Sequence, residues 1–261
     1  MKCPLFVFVA FSLSYCVLNC SLIGCCSLAV AQEAKSETAR ITATEPASIV
    51  SGTKTTLKLR GFKLKESTEL RFPTAAELKG EITEKKDSGP PKGLENNLVG
   101  DTQVLAEITV PANYPAGMLD YVISTPAGDA AGKLRVLAVD TAIDDVEPNN
   151  GFGEAQKLNA NQFARGSIQG DKDVDVYEFP AKAGQQLKVT VTSGSPLILD
   201  AALHCYDARG QFLAAADDGE SRDPVLMLNS LTDGLVYLCI SSAHDIGGEW
   251  NSYLLTVEEV K

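Results

Sequence analysis

The chain has 261 residues, a length for one or two domains. Its formal net charge is −11, with 34 acidic against 23 basic side chains, so its surface repels nucleic acid and draws divalent cations. It holds only 2 histidines, which leaves little for imidazole catalysis or a His-rich zinc site.

The first 31 residues stand apart. Lys2 is their only charge, an apolar run follows from Pro4, and Ala29-Val30-Ala31 precedes Gln32. This order is that of a secretory signal peptide cleaved after Ala31. Two alternatives stay open. The apolar run is long enough for an uncleaved anchor, and Leu22-Ile23-Gly24-Cys25 resembles a bacterial lipoprotein box, which would place a lipid on Cys25. In all three the body of the protein leaves the cytoplasm. No later stretch is long and apolar enough to span a membrane.

Five of the 7 cysteines (Cys3, Cys16, Cys20, Cys25, Cys26) fall in this leader. Alternation puts Cys205 with Leu203 on the apolar face of one strand. It sets Cys239 opposite Val236, Leu238 and Ile240 on another. Export permits a disulfide, but the faces favour two free thiols.

Residues 32–38 are polar and expected to be disordered after cleavage. From Arg40 the pattern turns to β. Thr55-Thr56-Leu57-Lys58-Leu59-Arg60 alternates, as do the stretches around Leu70, Val104 to Val110, Tyr121 to Ile123 and Leu134 to Val136. Pro46 to Gly52, Gly61-Phe62, Val110-Pro111, Pro115-Ala116-Gly117 and Thr125-Pro126-Ala127-Gly128 resemble immunoglobulin-like domains of the IPT/TIG type. The resemblance implies a β-sandwich over 39–140. Lys58, Arg60, Lys63 and Lys65 form a basic edge, read as the solvated side of a strand in preference to a docking patch. Residues 85–101 form a polar loop with Pro90-Pro91, a binding loop or an insertion.

Val139 to Val146 is the expected joint, and beyond it the acidic excess gathers: residues 143–261 carry 19 acidic and 8 basic groups. Asp145, Glu147 and Asn149 alternate, so an extended chain turns three oxygen-bearing groups the same way, and Asp171, Asp173 and Asp175 follow. Such residue types suit a calcium ion, which takes oxygens from carboxylates and amides. The competing account is a turn in which Asn and Asp bond their own backbone.

Glu147-Pro148-Asn149-Asn150, then Phe152, Ala155 and Leu158, then Gly170-Asp171-Lys172-Asp173-Val174-Asp175-Val176-Tyr177-Glu178-Phe179 resemble the bacterial pre-peptidase C-terminal (PPC) domain. Ala183-Gly184-Gln185, Asp200 to Asp207, Gly234 to Ile240 and Tyr253 to Val257 extend the likeness over residues 143–261. It implies a jelly-roll-like β-sandwich of about eight strands. The residues themselves suggest one short helical turn over Phe152 to Leu158, with strands elsewhere. The all-β chain is thus expected to be two sandwiches after a cleaved leader. The resemblance also implies a structural calcium ion on Asp145, Glu147, Asn149, Asn150, Asp173 and Asp175, with Asp171 a spare. Such domains trail secreted peptidases and assist export, stability or substrate attachment.

A catalytic constellation is not legible. No Gly-x-Ser-x-Gly elbow presents a serine, and no His-Glu-x-x-His or phosphate loop occurs. His204 is expected on the outward side of a strand and His244 in a turn beside Asp245. Asp217, Asp218, Glu220 and Asp223 are expected to be a solvated loop. The expectation is a secreted or surface-held, monomeric, non-catalytic module for an extracellular protein or polysaccharide, without nucleic acid. The alternative is a peptidase-associated hydrolase working near His244. Trp250 is expected to pack near the final strand, and no aromatic platform is evident.

Overall fold

The computed structural model describes residues 38–219 and 221–260. The leader with Ala31 and Cys25, the polar run 32–37 and Glu220 lie outside the described residues.

The first half contains β1 (Arg40–Glu45), β2 (Ser48–Val50), β3 (Lys54–Phe62), β4 (Glu69–Arg71), β5 (Gly80–Asp87), β6 (Thr102–Thr109), β7 (Gly117–Thr125) and β8 (Gly128–Leu137). One helical turn, α1 (Asn96–Val99), precedes β6. The ladder order is β1-β3-β6-β5-β4-β7-β8-β2. β4 and β5 share a single pair, Leu70 with Gly80, so the strands fold into two layers, β1-β3-β6-β5 and β4-β7-β8-β2. That is an immunoglobulin-type division of strands. Leu57, Leu59, Val104 and Ile108 of one layer meet Leu119, Tyr121, Ile123 and Leu134 of the other in one buried cluster. The period-two pattern turns these side chains inward, and each buried Leu, Ile or Val contributes about 1.5–3 kcal/mol.

The second half contains β9 (Ala142–Asp144), β10 (Gln156–Lys157), β11 (Phe163–Ser167), β12 (Val174–Ala181), β13 (Gln186–Ser193), β14 (Ala201–Asp207), β15 (Phe212–Ala216), β16 (Val225–Asn229), β17 (Gly234–Ser242) and β18 (Ser252–Glu259). They form two five-stranded sheets, β10-β12-β17-β14-β15 and β16-β13-β18-β11-β9. Leu187, Val189 and Val191 of β13 face Leu203, Leu238 and Ile240 across the core. The family likeness implied about eight strands; the described residues form ten here. The expected helical turn over Phe152 to Leu158 is also absent. Residues 151–154 make a turn, and Gln156–Lys157 pairs parallel with Tyr177 and Glu178 of β12. The sheet edge takes up this backbone.

The two sandwiches touch closely. Thr44 N–H donates to the Gly194 carbonyl at 3.0 Å, and Ser195 Oγ donates to the Thr42 carbonyl at 2.7 Å. Ala47 N–H donates to Ser252 Oγ at 2.9 Å. Val50, Leu137 and Leu254 form a small apolar cluster beside these bonds.

The basic edge of β3 needs correction here. Lys63 and Lys65 are exposed, as expected of a solvated strand side. Arg60 is fully buried. Its guanidinium donates to Ser88 Oγ (2.8 Å), Asn96 Oδ1 (3.0 Å) and the Gly100 carbonyl (2.7 Å). Lys58 Nζ lies 4.5 Å from the Trp250 ring centroid and donates to the Glu249 carbonyl at 2.7 Å. The chain between β5 and β6 folds back over Arg60, and the second sandwich covers Lys58. The 85–101 stretch is therefore partly strand and partly a packed cover. Trp250 is buried in this junction, two residues before the final strand begins at Ser252.

Candidate metal centre

After β9 the chain stays extended beside β11, and Asp145 N–H donates to the Arg165 carbonyl at 2.8 Å. Asp144 turns away and pairs with Arg165. At Glu147 the chain bends, and Asn149 N–H donates to Glu147 Oε2 at 3.1 Å. The Asn149 amide donates to Asp145 Oδ1. The alternation expected for Asp145, Glu147 and Asn149 thus ends in mutual contact.

Asp175 arrives from the other side. It opens the inward row Asp175, Tyr177, Phe179 of β12 and is fully buried. Asp145, Glu147 and Asp175 each offer a carboxylate oxygen, and the three lie within 4.8 Å of one another. Calcium–oxygen distances of about 2.3–2.6 Å place two ligands on one ion at most about 5 Å apart, so the spacing fits.

Two acceptors point to a cation in addition. Asp175 Oδ1 and Asn149 Oδ1 are buried and have no hydrogen-bond partner. An orphaned buried acceptor costs about 1–3 kcal/mol, and more when charged. A bound cation would satisfy both kinds of atom.

Two tyrosines join the carboxylates. Tyr253 Oη donates to Asp175 Oδ2 at 2.5 Å, lies 2.9 Å from Tyr177 Oη, and Tyr177 Oη reaches Asp145 Oδ1 at 3.3 Å. Three contacts share two phenolic protons, so one carboxyl proton completes the row. Burial first, then the neighbouring Glu147 and Asp173 charges, push the Asp145 carboxyl up to about 6. Burial, with Asp145, Asp173 and Glu147 adding repulsion, pushes Asp175 up to about 8. A divalent ion reverses this, because it favours the ionised ligands and displaces their protons.

The remaining expected ligands sit around this group. Asn150 donates to the Val174 carbonyl (3.0 Å) and to Asp173 Oδ1 (2.9 Å). Asp173 Oδ2 accepts from Gln169 N–H at 2.6 Å. Both therefore brace the loop entering β12. Asp171 is drawn off to Lys92 of the first sandwich. Gly247 holds this loop in place: a Cβ there would lie 2.1 Å from the Gly170 carbonyl oxygen. Alternation placed Asp175 and Tyr177 on one face; Tyr253 had no local signal, being 78 residues away.

Other candidates resolve differently. His244 Nε2 lies 3.2 Å from Asp200 Oδ2, not from Asp245. Ser242 Oγ accepts from the backbone N–H of His244 and Ile246, so it caps a turn. His204 is half-buried on the outward side of β14. Asp223 accepts from Ser193 Oγ at 2.6 Å, while Asp217 and Asp218 are exposed. Cys205 and Cys239 are free and buried, and burial pushes their thiols up to about 12 and about 11. Phe152 stacks on Tyr237 with centroids 4.5 Å apart, an aromatic pairing not anticipated from sequence. Among the described residues, no helix is long and apolar enough to cross a membrane.

No protein-family model matches the chain, and no curated protein matches it. Among solved structures it is similar to the pre-peptidase C-terminal domain of a Bacillus anthracis collagenase, at 18% identity over 40% of this chain and 95% of that one, TM-score 0.35. It is also similar to the secreted serine protease VesC of Vibrio cholerae, at 11% identity over 86% of this chain and 51% of that one, TM-score 0.29. A third is a Bacteroides ovatus mixed-linkage glucan utilisation protein in complex with a heptasaccharide, at 11% identity over 81% and 72%, TM-score 0.25. These overlaps are low, and the fold rests on the strand ladders above.

Proposed function

We propose that the chain is a secreted, non-catalytic binding module in which a structural calcium ion clamps the start of the second sandwich. Asp145, Glu147 and Asp175 are the charged ligands, Asn149 supplies its amide oxygen, and Asn150 and Asp173 hold the adjoining loop or complete the shell. The observation that carries this reading is the trio of carboxylate oxygens within 4.8 Å, beside two buried acceptors without partners.

The ion's chemistry is electrostatic. It joins residues that precede β10 to residues of β12 and neutralises carboxylates that otherwise repel one another. The leader is read as a signal peptide cleaved after Ala31. The exported chain is read as a monomer working outside the cytoplasm on a protein or polysaccharide, as PPC domains do beside peptidases. The domains are read as residues 39–140 and 143–261.

Equilibrium dialysis against calcium tests the clamp. One ion per chain is expected, lost in Asp175→Asn; absence of stoichiometric calcium would remove it. The hydrolase alternative predicts activity that disappears when His204 and His244 are both replaced. Neither imidazole is hydrogen-bonded to a serine hydroxyl among the described residues, and His244 meets Ser242 Oγ only through its backbone N–H, which supports the binding module.

A further inference from the structure

We propose that the cleft between the two sandwiches binds a carboxylated sugar chain, a uronate-containing polysaccharide segment. This rests on reading the chain as an extracellular binding module and adds a place and a ligand class.

The cleft has a volume of about 340 Å³. Its floor is the outward face of β13 and β18. Lys188, Thr190 and Thr192 point outward between the buried Leu187, Val189 and Val191. Thr256 and Glu258 stand opposite Thr190 and Lys188 across the ladder. β8 supplies the wall, with Lys133 and Arg135.

Its charge runs against the rest of the molecule. Three cations face one carboxylate, Glu258, in a chain of net charge −11. Lys133 is held by Asp120 at 3.5 Å. The Arg135 side chain has no hydrogen bond or ion pair to any described residue. Its Nε is buried without a partner, and its guanidinium lies 5.4 Å from the Phe163 ring centroid. Lys188 has no ion pair among the described residues either, although Glu258 is its cross-strand neighbour. A partly desolvated cation with no counter-ion is completed by an anion, and guanidinium matches carboxylate with two parallel bonds.

The remaining lining selects the kind of anion. Threonine hydroxyls both donate and accept, as sugar hydroxyls require. A peptide finds no free strand edge on this floor, because β13 is laddered to β16 on one side and β18 on the other. A polyhydroxylated carboxylate therefore fits this surface better than an acidic peptide.

Calorimetric titration of the exported chain with a galacturonate hexamer, cellohexaose and a poly-glutamate peptide tests the proposal. The galacturonate is expected to bind, the other two not. Arg135→Gln and Lys188→Gln should each weaken binding about tenfold or more, with unchanged thermal midpoints, and added salt should weaken it as well. Lys188 is half-exposed on a strand face, so its variant remains informative if Arg135→Gln fails to fold. Three results overturn the proposal: no galacturonate binding, binding indifferent to both variants, or equal binding of poly-glutamate. Cellohexaose binding that ignores both variants also overturns it, yet leaves the wider reading of a binding module standing.

Discussion

The hydroxyl of Tyr253 donates to Oδ2 of Asp175 at 2.5 Å, although the two residues are 78 positions apart. Through this bond the last strand holds the most deeply buried carboxylate of the candidate metal centre. Tyr253→Phe leaves the ring in place and removes the donor to Oδ2, so both Asp175 oxygens are then buried without a partner. A loss of about 1–3 kcal/mol is expected in chelator. Calcium should recover part of it, since an ion satisfies the same carboxylate. Urea unfolding with and without calcium checks this; a variant as stable as the parent in chelator would deny Tyr253 that role.

Gly194 sets how closely the sandwiches dock. A Cβ at this position would lie 2.3 Å from the Thr44 carbonyl oxygen, a backbone atom that cannot swing aside. Gly194→Ala should therefore loosen the junction while leaving each core intact. Limited proteolysis is expected to cut faster in the 138–146 joint, and small-angle scattering should show a larger radius of gyration. An unchanged digestion pattern would mean the junction relaxes without cost.

Arg60 shows what a strand pattern conceals. Alternation placed it beside Lys58 on a solvated edge, yet four hydrogen bonds tie its guanidinium to Ser88, Asn96 and Gly100. Arg60→Lys keeps the charge but not the fork, and Arg60→Ala leaves the acceptors buried and empty. Losses of about 2 and about 4 kcal/mol are expected, within the range for broken buried networks. Chemical denaturation measures both; values near zero would return Arg60 to the solvated class.

Glu45 makes the junction sensitive to pH. Burial between the sandwiches raises its carboxyl above the usual range, against the lowering effects of Ser252 and Lys58. The folded state then holds the proton more tightly than the unfolded chain. The resulting stability is present below the unfolded value of 4.5 and is lost as pH rises through the folded value. Glu45→Gln should match the parent at low pH and gain on it towards neutrality. Thermal midpoints of the two chains across this range supply the test, and parallel curves would contradict it.

Much of the fold was legible because it is written in local alternation. Leu187, Val189 and Val191 face inward as their spacing requires, and Cys205 and Cys239 fall on opposite faces of their sheet. Asp145, Glu147 and Asn149 were read as a group from alternation, but it is the bend at Glu147 that brings Asn149 back onto Asp145. What escaped depends on contacts between distant segments. Lys92 claims Asp171, the β5–β6 connection covers Arg60, and Tyr253 reaches Asp175 from the chain's last strand. Strand β10 is two residues long and carries no periodicity, so only its pairing with β12 reveals it.

The central claim is that a calcium ion clamps Asp145, Glu147 and Asp175, and thermal unfolding of the chain in calcium and in chelator tests it most directly. A ligand at a hundred times its dissociation constant adds about 2.7 kcal/mol, equivalent to roughly 5–10 °C for a chain of this size. The account predicts a shift of that order in the parent and its disappearance in Asp175→Asn. Identical midpoints in calcium and chelator would contradict it, and the acidic cluster would then be a hydrogen-bonded turn that holds its own protons.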